Sequence, residues 1–495
     1  MNKIKKINPN RTKIIIDDFS NPNFDNESFV DNSAFPAVLY NFDCTKGILK
    51  TSKGFENITL PKYNTFGSEE IVPDIASLNL TSVEGLIHFR EYYVPTSTHS
   101  HRLIVYGNDG NIYGNIMFYN WTGFSHLYDM HFDKFPTAIN FRHEGADALL
   151  LCSEDADDDM KVWVSNYSPY TITDVPTITS ACECDGILFC TVGNESKQIW
   201  HTNTLDPLDI GTPSENVGLI ELTDERGESR KVVSYKGNVF VFRDYGITKI
   251  SIYNNSFNIS HIYKSTSKIF ANTVVVCGNS IIFLQRDGLY EFNGVSVNRY
   301  NLKIESLLGD MDNTNAYAAC LQTKYYLALR CDFGDNLQIG CEKTATYKNN
   351  VLLIYDFEKN NFEIIRGIDI KRMLAVRANN LERIFFTFNT DFVDKVGQLS
   401  NDGKFFGNNI EKFYSSAELM VEDSSFKTIR RIEVFADSGV VVSIKSDNGD
   451  VYFTTYCDGY NVFCPILKCK NFKVQFSATN NVSVKRIEVS LVHGG

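Results

Sequence analysis

With 495 residues, 43 % of them hydrophobic and 22 % charged, the chain has the composition of a folded globular protein rather than a disordered one. The formal net charge of −12 weighs against a sequence-reading nucleic-acid binder, which needs a basic face, although an acidic wall would let DNA slide past without sticking. No run approaches the ~20 apolar residues of a membrane helix, and none of signal-peptide length follows the basic start, so the expectation is a protein that folds where it is made, without membrane insertion.

Residues 1–64 are irregular and rich in Asn, Asp, Ser and Pro, which predicts an extended arm packing on the body. The basic start, with Lys3, Lys5, Lys6, Arg11 and Lys13 ahead of Asp17, reads either as a solvated terminus or as a dock for an acidic neighbour or DNA. Residues 65–410 read as strand almost throughout. Short runs rich in β-branched and aromatic residues lie at 102–106, 148–152, 187–191, 239–243, 280–284, 324–329 and 384–388. They recur about every 40–50 residues, the period of propeller blades. The prediction is all-β, a β-propeller of about seven blades with six to eight allowed. Asn108-Asp109-Gly110-Asn111 and Asp287-Gly288 supply hairpin turns, because Asx-Gly pairs adopt positive φ readily. One short helix is predicted from Ile304, Leu307, Leu308 and Met311. Residues 411–495 hold closely spaced alternating strands, with a turn at Asp447-Asn448-Gly449, and predict an antiparallel β-sandwich.

Twelve cysteines contain no C-x-x-C and several sit within apolar runs, so they read as small buried hydrophobes in a reducing compartment. Among candidate sites, His99 and His101 are two apart but lie in a Thr/Ser-rich loop with no third ligand nearby. The acidic run 154–159 lacks the order of a calcium loop and reads as a solvated hairpin tip. Cys182, Cys184 and Cys190 lack a paired metal knuckle and read as core. Ser400-Asn401-Asp402-Gly403 matches only part of a sialidase aspartate box, and no hydrolase, Walker or dinucleotide fingerprint occurs. The expectation is therefore a protein that is not an enzyme, with no catalytic, cofactor-binding or metal-binding residues and no cofactor.

Three segments carry a resemblance. Ile16-Asp17-Asp18-Phe19-Ser20 is followed by 37–43, which ends in Asn41-Phe42-Asp43, and by Gly47-Ile48-Leu49-Lys50 with Gly54. Residues 280–294 form an apolar strand, Asp-Gly-Leu-Tyr, an aromatic and a glycine. Residues 351–356 precede Asn361-Phe362. Together they resemble β-propeller structural proteins of bacteriophage tails, such as the nozzle and tail-accessory proteins of short-tailed phages. The resemblance implies a virion tail protein assembled in the host cytoplasm, forming a cyclic, sixfold homo-oligomer around the DNA channel. Its partners would be other tail proteins such as an adaptor or fibres, with DNA passing without specific binding. A carbohydrate- or receptor-binding propeller is the alternative, and a propeller glycosidase, needing two carboxylates ~5–9.5 Å apart, is a further one.

Overall fold

The computed structural model describes residues 3–8, 11–20, 22–25, 36–61, 70–73, 75–90, 101–116, 125–143, 145–164, 168–173, 175–193, 196–202, 217–253, 256–334, 339, 346–378, 381–389, 396–420, 426–445 and 450–493. It is all-β, with 62 % strand and 3 % helix. Six four-stranded sheets follow one another along the chain, each a simple up-and-down meander. Their leading strands are Val83–Arg90, Thr137–His143, Ile178–Cys184, Ser229–Tyr235, Val275–Cys277 and Tyr317–Leu321. A seventh sheet begins with Ile370–Ala378, Leu381–Phe388 and Val396–Ser400, and takes its fourth strand, Gly54–Asn57, from the N-terminal part of the chain.

The second strands explain the recurring apolar runs. In Ser280–Gln285 every residue is buried, as in Ile187–Val192, and the same holds for the third strand of the sixth sheet, Val351–Asp356. A strand apolar on both faces must be covered on both, so each sheet needs a neighbour on either side. Between the first six and the last, the spacing lengthens because residues 330–350 are inserted inside the sixth sheet, between Lys324–Leu329 and Val351–Asp356. The short helix is Glu305–Leu308, with Leu307 and Leu308 buried.

The sheets are latched in sequence by polar contacts near their leading strands. Asn140 of the second sheet donates Nδ2 to the His88 carbonyl (2.9 Å) and accepts from the Arg90 amide (2.8 Å) of the first. Thr137 donates to the Thr179 carbonyl (3.1 Å), and the Val232 amide donates to Ser180 Oγ (3.2 Å). Tyr325 donates to the Thr273 carbonyl (2.6 Å) and Asn349 Nδ2 to the Ile370 carbonyl (2.8 Å). The last sheet returns to the first: Arg372 donates Nε to the Glu84 carbonyl (3.2 Å), and Lys371 pairs with the Glu84 carboxylate. Contacts between leading strands run from the first sheet to the fourth and from the fifth through the seventh back to the first, and Ala271–Thr273, just ahead of the fifth sheet, contacts the leading strand of the fourth.

Closure of the seventh sheet depends on Phe55. It is fully buried, with ring centroids 5.2, 5.5 and 5.3 Å from Phe386, Phe388 and Phe405. Its neighbour Gly54 lies so close to Lys404 that a Cβ would come within 2.0 Å of that residue's carbonyl oxygen, so only glycine fits.

The described part of residues 1–64, expected as an arm, contributes strands to several sheets. Lys3–Asn8, Arg11–Ile16, Phe42–Asp43 and Leu49–Thr51 join Ser483–His493, Lys427–Ala436, Tyr460–Phe463 and Leu467–Cys469 in an eight-stranded sheet. Pro36–Tyr40 joins a six-stranded sheet with Lys412–Ser416, Asn471–Ala478, Val440–Lys445 and Val451–Cys457. The two sheets share one apolar core, which includes Ile14, Ile16, Val442, Phe476 and Val489. The turn at 447–449 lies outside the described residues. Asn41, buried at φ 59°, rivets this part to the sixth sheet. It donates Nδ2 to the carbonyls of Arg366 (3.1 Å) and Glu411 (2.7 Å), and accepts from the Arg366 amide (2.8 Å).

One buried charge supports the fourth sheet. Arg243 is fully buried, donates to the carbonyls of Gly227 (2.9 Å) and Leu222 (3.0 Å), and pairs with Asp224. Burial raises the Asp224 pKa, but hydrogen bonds from Arg243 and Arg226 overcome it and hold the carboxyl at about 2.

Two outcomes follow from this packing. Phe55→Ala is expected to cost about 3–5 kcal/mol in denaturant unfolding, because it opens a cavity where the last sheet is sealed. The folded pKa of Asp224 lies below the ordinary 3.8, so its stabilisation is complete above that value and is lost as pH falls toward about 2. That contribution is about 2 kcal/mol, and Asp224→Asn should flatten the acid limb of a stability-versus-pH curve by that amount.

Candidate functional site

Polar and charged residues of the leading strands, among them His88, Asn140, Thr179, Lys231 and Arg372, line a cavity of about 510 Å³ together with apolar ones. The first, second, third, fourth, sixth and seventh sheets line it, with Asn272 from the turn preceding the fifth. Four cations belong to the wall: Arg90, Lys231, Arg372 and Arg377. Glu154 is the one acidic residue of the described lining, and it lies 3.9 Å from Lys134. The cavity is thus cationic inside a chain of net charge −12.

Each cation is held differently. The Arg372 guanidinium lies 4.3 Å from the Phe135 ring centroid and 5.9 Å from that of Tyr317, with Nε on the Glu84 carbonyl. Stacking and a hydrogen bond at once leave the planar fork little freedom. Arg377 stands 3.9 Å from Glu382 and is 57 % exposed, so this pair is weak. Lys231 is half-buried, and its ammonium has no hydrogen-bond or ion-pair partner among the described residues. Desolvation lowers its pKa, opposed only by the neighbouring Cys182 thiol.

Cys320 also lines the cavity and is half-buried, while Cys277 on the adjacent leading strand is fully buried. Their thiols are within hydrogen-bonding reach. The bond from Cys277 lowers the Cys320 pKa, burial opposes this, and Arg377 adds to the lowering. Cys152, by contrast, is fully buried among apolar groups and its thiol is pushed up.

A second cavity, of about 310 Å³, lies between residues 43–53 and the sixth sheet. Its charges balance more closely, with Lys46, Lys53, Lys324 and Lys359 against Asp43, Asp356 and Glu363. Burial raises the Glu363 pKa, while the Lys53 amide donates to its carboxylate (3.1 Å).

The candidates read from sequence do not meet here, apart from Glu154. The run 154–159 connects Ala146–Cys152 to Met160–Val164, and Asp158 accepts the Asp133 amide at 2.9 and 3.0 Å. Cys184 and Cys190 are buried and Cys182 is half-buried, on paired strands of the third sheet. His99 lies outside the described residues, and only the backbone of His101 is placed, in a strand. Ser400-Asn401-Asp402-Gly403 forms a turn in which Asp402 accepts from Ser400 Oγ and the Lys404 amide. No group of three His, Cys, Asp or Glu able to hold a metal occurs among the described residues. The cavity cations were missed because a lone Lys or Arg in a strand is indistinguishable from a solvated one. The polar and charged residues within several leading strands, set against the largely apolar second strands, were the available signal.

No family profile matches the chain, and no curated protein does. Among solved structures, the extracellular domain of a hybrid two-component system from B. thetaiotaomicron matches at 10 % identity and a TM-score of 0.41. The match covers 70 % of this chain, which spans 40 % of that one. The AfRom2 CNH domain matches at 11 % identity and a TM-score of 0.40, over 64 % of this chain and 93 % of that one.

The thiol environments set an order of reactivity. Under native conditions a small alkylating reagent should label exposed Cys464 and cavity-lining Cys320 well before Cys152, which should react only on unfolding. Peptide mass spectrometry over a labelling time course reads this directly.

Proposed function

We propose that the seven sheets are the blades of a β-propeller, the last closed by the strand Gly54–Asn57, and that the two larger sheets form a β-sandwich. On this reading the chain is a structural component of a phage tail ring rather than an enzyme. The carrying observation is an apolar rim on the sandwich. Two edge strands, Val451–Cys457 and Tyr460–Phe463, expose Val451 (55 %), Tyr456 (64 %) and Tyr460 (56 %), and Ile466 beyond them is 73 % exposed. Clustered exposed apolar groups on sheet edges favour contact with another protein. A cyclic homo-oligomer uses such a patch against a different patch on the next copy. The DNA channel then lies between copies, since a 510 Å³ cavity within one chain has no room for a duplex.

The tail setting rests on the resemblance of residues 16–54, 280–294 and 351–362. The rivet made by Asn41 gives the Asn-Phe-Asp element a physical role, joining sandwich to propeller. The tyrosines of the rim also favour a second reading, a glycan- or receptor-binding module, because tyrosine offers a flat amphipathic platform.

Mass spectrometry of purified particles is expected to find this polypeptide at ring stoichiometry, and Tyr456→Asp should leave folding intact while reducing its incorporation at least about tenfold, the effect of about 1.4 kcal/mol. Presence only as a soluble monomer in lysate, with binding on a glycan array, would replace the first reading by the second.

A further inference from the structure

We propose that the central cavity binds a small multivalent oxyanion, gripped between Lys231 on one wall and Arg372 on the other, with Arg377 further along the strand drawing it in. This is independent of the tail reading and rests on the cavity alone. The fourth sheet carries Lys231 and the seventh carries the two arginines. In a closed sequence of seven sheets these lie across the cavity from one another. Lys231 and Arg372 are each the third residue of their leading strands, Ser229–Tyr235 and Ile370–Ala378, so they occupy a similar level. Arg377 and Arg90 stand near or at the far ends of theirs.

Three features make this a site rather than a basic wall. Lys231 is half-buried at the cavity wall without a counter-charge among the described residues, an arrangement that an anion would complete. Arg372 is already fixed by Phe135 and Tyr317, so little ordering remains to oppose binding. Arg377 sits more exposed, where it can draw an anion inward. Walls that are cationic on both sides suit an anion with charge at both ends, such as a diphosphate or a tricarboxylate, and the 510 Å³ volume lies in the small-ligand range.

The test measures thermal unfolding and calorimetric binding of the whole chain with sodium pyrophosphate, sodium citrate, and sodium chloride at matched ionic strength. One of the two oxyanions is expected to raise the melting temperature beyond the chloride control, since a ligand that binds only the native state stabilises it. The stronger of the two identifies the phosphate or carboxylate class. Lys231→Met should melt higher than the wild type without ligand, because it removes an unpaired charge, and should bind the oxyanion at least about tenfold more weakly. Arg377→Gln, at an exposed position that folding does not need, should weaken binding while leaving the ligand-free melting temperature unchanged. Equal shifts with oxyanion and chloride, or equal binding by wild type and both variants, would overturn the proposal.

Discussion

A four-stranded sheet whose second strand is apolar on both faces has no stable existence in water by itself. Ile187–Val192 and Ser280–Gln285 bury every residue, which is possible only if other sheets cover both sides. That requirement propagates from sheet to sheet, and a linear stack would leave its two ends exposed. The return of the seventh sheet onto the first, through Arg372, Lys371 and Glu84, removes both ends at once. Completing that seventh sheet with a strand from the N-terminal part of the chain ties the closure to chain connectivity. Early and late segments must meet before it can be sealed, as Phe55 against Phe386 and Phe388 shows.

The same geometry separates polar from apolar side chains without any special sequence device. Polar groups of the leading strands, among them Asn140, Thr137 and Ser180, satisfy backbone groups of adjacent sheets. Buried polar groups must be paired, and these latches provide the pairing. Among the cavity cations, Arg372 is held by the Glu84 carbonyl and Arg377 stands beside Glu382. Lys231 remains unpartnered among the described residues, whereas Arg243, buried elsewhere, is fully engaged by carbonyls and Asp224. The contrast distinguishes a structural charge from one placed for something else.

The two larger sheets and the seven smaller ones are not joined by a simple linker. The first 60 residues contribute to both, and Asn41 bridges them with three side-chain hydrogen bonds inside the protein. Arg366, whose amide Asn41 accepts, stacks over Tyr40 and Phe333, so the junction is polar at its centre and aromatic around it.

Strand content, the recurring second strands and the Asp287-Gly288 hairpin were legible in the sequence, because uniform burial leaves a continuous apolar run and a tight turn leaves Asx-Gly. The alternating strands after residue 411 were legible for a similar reason: one face of each is buried, as the pattern of Asn471–Ala478 records. Four things were decided only by tertiary structure: the weaving of the described part of residues 1–64 into the larger sheets, the donation of Gly54–Asn57 to a strand more than 330 residues away, the pairing of Arg243 with Asp224, and the gathering of Lys231, Arg372 and Arg377 around one cavity. Local patterning reports how deeply a residue is buried, since burial selects side-chain type one position at a time. It carries no record of which distant segment does the burying, or of which charges meet across a space that exists only when the ring of sheets is closed.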